Sequence, residues 1–174
     1  MITLPLETER VRVRPFVPAD DAAPIHELWG DAEAFRFVVP GGVASVDETR
    51  ERLESALERA RDGWGFWALD ERLSGRLVGG AGLFPLEWKG PEIELAYHVL
   101  PSAWNRGYAT EAGAALLAAA WHETDLDHVV AVAFEENRAS TRVMEKLGMT
   151  FEGRVRYRDF DGVRYSIHRP ATLP

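Results

Sequence analysis

The chain has 174 residues, 46% hydrophobic and 28% charged, which suits one globular domain and is too short for two ordinary ones. It has no cysteine, which excludes disulfides, thiolate metal sites and a cysteine nucleophile, and no apolar run approaches the roughly 20 residues of a membrane span. A formal charge of -8 weighs against a nucleic-acid binder, which shows a basic face, and favours a cationic acceptor such as an amine or a basic peptide.

The opening Met1 to Glu7 has neither a basic region nor a long apolar one, so no signal peptide is expected and a cytoplasmic setting follows. Val11 to Phe16 alternates apolar and polar residues, as a half-buried strand does. Asp20 and Asp21 offer capping carboxylates ahead of a helix carrying Ile25, Leu28 and Trp29. Pro40-Gly41-Gly42 breaks the chain. Ser45 and Glu48 then form a capping box before a helix with an apolar face at Leu53, Ala56, Leu57 and Ala60, closed by Asp62-Gly63.

Gly65 to Leu69 and Arg76 to Leu83 read as a hairpin. From Ile93 to Leu100 a further strand puts Glu92, Glu94, Ala96 and His98 on one face and Ile93, Leu95, Tyr97 and Val99 on the other. A turn from Trp104 to Ala109 leads into an Ala-rich helix. Val129 to Ala133 is a short apolar strand, and Asn137 to Leu147 a helix closed by Gly148. The tail from Phe151 to Ile167 reads as one or two strands around an Asp161-Gly162 turn. The expected fold is α/β: a mixed, mostly antiparallel sheet of about six to seven strands with helices on both faces, in a single domain over residues 1–174.

A strand that enters a Gly-containing turn and then a helix presents free backbone N–H groups at the positive end of a helix dipole, where phosphates bind without lysines. Here Gly107 and Ala109 leave the backbone open, Thr110 adds a hydroxyl and Arg106 a cation. By itself the pattern also fits an ordinary strand–turn–helix connection. The surrounding residues narrow the choice. Glu92 to Pro101 followed by Trp104-Asn105-Arg106-Gly107-Tyr108-Ala109-Thr110-Glu111-Ala112 resembles the coenzyme-A motif of the GNAT superfamily of acetyltransferases, and of its RimJ/RimL-type branch in particular. Asn137-Arg138-Ala139-Ser140, followed by Glu145-Lys146-Leu147-Gly148, resembles the family's second motif. The likeness spans nearly the whole chain.

That resemblance implies an N-acetyltransferase that takes acetyl-CoA as cosubstrate and moves the acetyl group to a primary amine by direct attack in a ternary complex. Its runner-up is a CoA-binding module of the same fold without catalysis. The resemblance places the cofactor along His98, Val99 and Leu100 at the strand's end, over Asn105, Arg106, Gly107, Tyr108, Ala109 and Thr110 in the turn, and against Asn137 and Ser140. It points to a glutamate on the strand as general base. Glu94 is favoured over Glu92 as the more interior of the two, and His98 shares their face. A main-chain N–H near Val99 would meet the acetyl carbonyl. The branch's Asn-x-x-Ser serine is cast as proton donor, and by that resemblance Ser140 inherits the role; Met144 stands where many members have a tyrosine and cannot protonate a thiolate. Asn105 departs from the branch's usual glycine; if φ is positive there, Asn is the best substitute.

For the acceptor, which the resemblance leaves open among a protein N-terminus, a small amine and an amino-acid derivative, the walls are expected from Phe37-Val38-Val39-Pro40-Gly41-Gly42, Trp64, Phe66 and Trp67. No metal, nucleic acid or membrane is expected as partner. An edge strand or the β-rich tail offers a route to a homodimer.

Overall fold

The computed structural model describes residues 1–38, 45–60 and 63–172. Its strands are β1 (Leu6–Glu7), β2 (Val11–Arg14), β3 (Gly65–Glu71), β4 (Leu77–Pro85), β5 (Ile93–Val99), β6 (His128–Phe134), β7 (Thr150–Tyr157) and β8 (Phe160–His168). Its helices are α1 (Pro18–Trp29), α2 (Ala32–Phe35), α3 (Val46–Arg59), α4 (Tyr108–Glu123) and α5 (Arg138–Lys146). One eight-stranded sheet runs in the order β1-β2-β3-β4-β5-β6-β8-β7. Every neighbouring pair is antiparallel except β5 and β6.

The eighth strand, beyond the six or seven expected, is β1, two residues paired as Leu6↔Val13 and Glu7↔Arg12. Two residues carry no periodicity, so only pairing with β2 defines it. The short helix α2 escapes a periodic pattern for the same reason; Asp31 caps it by accepting from the N–H groups of Glu33 (2.9 Å) and Ala34 (3.0 Å). One turn also moves. Chain reversal in the tail occurs at Arg158 and Asp159, between Tyr157 and Phe160, and not at Asp161-Gly162. Gly162 instead lies inside β8, where a Cβ would come within 2.8 Å of the Ala133 carbonyl oxygen. The glycine there answers a close strand approach.

Alternation along β3 sorts the core into two. Trp67 and Leu69 join Val11, Val13, Leu83, Leu95, Leu116 and Met144 beneath α4 and α5. Phe66 and Ala68 face the other way, into Phe16, Ile25, Phe35, Leu53 and Phe84 beneath α1, α2 and α3. Both faces of the sheet are therefore covered, as a mixed sheet requires. Arg14 clamps the second layer: its guanidinium bonds Asp21 at the start of α1 (2.7 and 2.9 Å) and Asp70 on β3 (2.6 and 2.9 Å). No described helix is long and apolar enough to cross a membrane.

Parallel strands need a crossover, and α4 supplies the one between β5 and β6. Their pairing is confined to Glu94↔Val130 among the described residues. Beyond Glu94 the two strands part, while β5 stays fully paired to β4 as far as Val99. The sheet thus opens at its centre.

Candidate active site

Around that opening lies a cleft of about 740 Å³, in the range of ordinary small-molecule sites. It is lined from both faces of the sheet: by Glu94, Ala96, His98 and Phe66 on the side of α1 to α3, and by Tyr97, Asn137, Ser140 and Met144 on the side of α5. Successive N–H groups along a strand point to opposite edges. Leu100 donates its N–H to the Val78 carbonyl of β4 (2.9 Å), so the Val99 N–H points the other way, into the gap. Trp104 steadies this strand end by donating its indole N–H to the Val99 carbonyl (2.7 Å). The Leu100 side chain is buried in the core beneath α1 to α3.

Glu94 is 5% exposed, and its carboxylate accepts a hydrogen bond from the Tyr157 hydroxyl at 2.6 Å. Burial pushes its pKa up to about 7, against the opposing pull of that hydroxyl and the Arg158 charge. A carboxylate titrating near neutrality is a competent general base. Glu92 is placed differently. Arg164 holds it through two bonds (2.6 and 2.9 Å) and keeps its carboxyl below the usual range, and it does not line the cleft. His98 does line the cleft, between the rings of Phe35 (5.8 Å) and Phe66 (4.8 Å). Burial lowers its pKa to about 4, and its Nδ1 has no hydrogen-bond partner among the described residues. It is neutral at physiological pH and a weak base.

On the opposite side, Asn137 caps α5, its side-chain oxygen accepting from the Ser140 N–H (3.2 Å), and it lines the cleft. The Tyr97 hydroxyl donates to the Ser140 carbonyl (2.9 Å) and lies 3.1 Å from Ser140 Oγ. Met144, 1% exposed, is an apolar wall.

The turn after β5 is shaped for an anion. Asn105 has φ of 60° and Gly107, the residue before α4, has φ of 80°. Both are left-handed, the conformation Asn tolerates and glycine adopts freely. The N–H groups of Tyr108, Ala109 and Thr110 have no carbonyl one turn before them, whereas Glu111 already bonds the Gly107 carbonyl (3.0 Å). Arg106 is turned aside: its guanidinium pairs with Glu71 (2.8 Å) and lies over the Tyr108 ring. Tyr108 is itself buried, with its hydroxyl bonded to Glu71, so its side chain anchors the turn and only its backbone is offered outward. The Ser74 and Tyr108 hydroxyls, with Arg106, hold the Glu71 carboxyl down at about 2. Glu111 completes the brace, bonding Thr8 (2.5 Å) and the Arg10 main chain (2.8 Å) and guanidinium (2.6 Å). These residues fit a diphosphate at the helix start and a pantetheine arm along the open edge of β5, between Val99 and Asn137.

Of the expected acceptor walls, Phe37, Val38 and Phe66 line the cleft. Trp67 and Trp64 pack into the core beneath α4, because alternation along β3 sends Trp67 to the face opposite Phe66. Val39 to Gly42 lie outside the described residues. Sequence reasoning missed Tyr157 and Tyr97 as partners of Glu94 and Ser140. Their contacts span 63 and 43 residues, and no local pattern announces such a pairing. Among the described residues, no group of three His, Asp or Glu side chains is placed to hold a metal ion.

The profile of the family described as "Acetyltransferase (GNAT) domain" matches residues 10–150. The uncharacterized N-acetyltransferase YoaA of Bacillus subtilis is 26% identical over 172 residues, 95% of this chain and 97% of that protein. The solved structure of an acetyltransferase (GNAT family) from Bacillus anthracis superposes with a TM-score of 0.82 at 26% identity, covering 95% of this chain and 99% of that one. RimL, a ribosomal L7/L12 alpha-N-protein acetyltransferase solved in complex with coenzyme A, shares the fold at 16% identity with a TM-score of 0.80, covering 95% of this chain and 98% of that one. The chain belongs to the GNAT family of acetyltransferases, and is an N-acetyltransferase that draws its acetyl group from acetyl-CoA.

Proposed function

We propose that the protein acetylates a primary amine by direct attack in a ternary complex, with Glu94 as general base and Ser140 as proton donor. One observation carries this reading: the gap between β5 and β6 joins Glu94 on one face of the sheet to Ser140 on the other. The amine approaches from the face of α1 to α3, and the thioester from the face of α5. A bound thioester supplies an activated acetyl carbon. Glu94 takes a proton from the ammonium, directly or through water, because an amine of pKa near 10 is mostly protonated at neutral pH. The amine nitrogen then bonds to the acetyl carbon while the Val99 N–H donates to the carbonyl oxygen as it gains charge. As the C–S bond breaks, the Ser140 hydroxyl passes its proton to the thiolate and takes, directly or through water, the second proton that the nitrogen sheds on becoming an amide. Tyr97 holds Ser140 in place. Burial drives the Tyr97 pKa upward, so its hydroxyl remains a donor.

The Trp104-to-Glu111 turn and the Asn137-to-Ser140 spacing support a place in the RimJ/RimL-type branch, with the fold shared with RimL as a further, weaker support. The test is thiol release from acetyl-CoA across a panel of amines, amino acids and peptides. Acceptor-dependent release is expected with at least one class. Stabilisation by acetyl-CoA with no release across the panel would leave a CoA-binding module without catalysis, a reading that nothing in the geometry favours.

Ser140→Ala is expected to lower kcat about tenfold with the KM for acetyl-CoA nearly unchanged, a modest loss for a general acid because a thiolate leaves readily. Tyr97→Phe should lower it less. Full turnover in Ser140→Ala would move the proton donor elsewhere, water included.

A further inference from the structure

The outer part of the cleft carries two features that the proposed chemistry does not use. One is an aromatic wall: Phe84 and Trp88 stack at 4.4 Å with their planes 6° apart, continuing the Phe66–Phe84 contact. Trp88 is held there by an unusual backbone, with φ of 60° at Trp88 and 55° at Glu87. Such conformations persist only where their surroundings impose them, and they gather at ligand sites. The other feature is a pair of exposed guanidiniums at the rim. Arg59, at the end of α3, lies 5.1 Å over the Trp88 ring; Arg158, at the β7–β8 turn, lies 5.2 Å over the Tyr157 ring. Both line the cleft, and neither is held in an ion pair with a carboxylate among the described residues. Glu87 is the nearby acid, and its oxygens are already bonded to Lys89 Nζ (2.9 Å) and the Arg158 N–H (3.2 Å).

Tyr157 ties these groups together. Its hydroxyl bonds Glu94, and its ring carries Arg158, so one side chain separates the buried anion from the exposed cation. The two charges also sense each other, since Arg158 opposes the upward shift of Glu94. An apolar pocket whose anionic floor meets the Tyr157 hydroxyl and whose rim cation lies over the same ring matches a ligand whose ammonium and carboxylate are close neighbours.

Resting on the acetyltransferase reading, we infer that the acceptor is a free α-amino acid with an apolar or aromatic side chain, its ammonium at Glu94, its side chain against Phe84 and Trp88, and its carboxylate held at the rim by Arg158 and Arg59. A peptide N-terminus would offer an amide at the rim and leave both guanidiniums unanswered. At the rim Arg59 and Arg158 stand beside Glu87, whose charge Lys89 also offsets.

The experiment compares kcat/KM for L-phenylalanine, L-leucine and L-methionine with that for their carboxamides, for phenethylamine and for dipeptides beginning with the same residues. The free acids should lead by about tenfold or more, the worth of one charge-assisted hydrogen bond. In Arg158→Met and in the double variant with Arg59→Met, the ratio of acid to amide turnover should fall toward one. Both arginines are exposed, so the variants should fold. Amides or peptides used as well as the acids, or an unchanged ratio in the variants, would overturn the inference and leave the acetyltransferase reading standing. No release with any amine would overturn both.

Discussion

Glu94→Gln is expected to lower kcat/KM for the amine about 100-fold at pH 8, the low end of what a positioned general base contributes. In the native protein, kcat/KM should rise with pH through an apparent pKa of about 7, where the buried Glu94 loses its proton. The variant should lack that limb and keep only the ionisation of the amine itself. Tyr157 can still donate to the amide oxygen of a glutamine, so the cleft should keep its shape. A pH profile unchanged in Glu94→Gln would remove Glu94 from the mechanism.

The same substitution carries a stability signature. Glu94 has a folded-state pKa raised from 4.5 to about 7. Below pH 4.5 its carboxyl is neutral in both folded and unfolded chains, and its burial is cheapest. As pH rises from 4.5 to 7 the unfolded chain ionises this carboxyl in water while the folded chain keeps it protonated, so stability is lost, and the loss levels off once the folded carboxyl ionises above 7. At roughly 1.4 kcal/mol for each pH unit between these limits, the native protein should lose up to about 3 kcal/mol between pH 4.5 and pH 8 from this residue. Glu94→Gln should escape that loss. Urea unfolding at pH 5 and pH 8 measures it, and equal pH dependence in both proteins would contradict the buried titration.

Gly79→Ala is expected to cost roughly 3 kcal/mol, about 6–12 °C in Tm for a chain of this size. A Cβ on Gly79 would sit 2.1 Å from the His98 carbonyl oxygen and 3.0 Å from the Val99 Cα. Both atoms are backbone, so relief requires β4 and β5 to separate. That separation reaches the site, because Gly79 pairs with Val99, whose N–H faces the gap. The variant should therefore lose kcat beyond its loss of stability, measured well below its Tm. Native kcat in a destabilised Gly79→Ala would detach Val99 from carbonyl binding.

How far the sequence could be read depends on the range of the interactions involved. The turn from Trp104 to Glu111 was legible because its requirements are local: left-handed backbone at Asn105 and Gly107, and unpaired N–H groups at the start of α4. The faces of β5 were legible too, since alternation alone puts Glu94 and His98 opposite Tyr97 and Val99. The cap at Asn137 and the box at Ser45 are likewise spelled out within four residues.

Other features came only with the tertiary structure. Asp161-Gly162 looked like a turn, yet the glycine serves a neighbouring strand, and reversal falls at Arg158 with φ of 49°. Trp64 and Trp67 looked like acceptor walls as readily as Phe66 did, until the pairing of β3 chose the face of Trp67 and packing took Trp64 to the same core. Glu92 and Glu94 stand one residue apart on either side of Ile93, and composition treats them alike. Arg164, brought in from a distant strand, makes one a paired acid held below the usual range, while burial raises the other to about 7 against the pull of the Tyr157 hydroxyl.

By itself, then, the sequence determined the family likeness, through its two motifs, and the left-handed turn and the two faces of β5, because a turn and a strand rest on φ preferences, alternation and capping within a few residues. The tertiary structure alone decided which carboxylate is buried, where the sheet opens, and which aromatic rings and guanidiniums line the cleft. Burial, desolvation and the approach of residues more than 40 positions apart are properties of packing, and no local stretch of sequence encodes them.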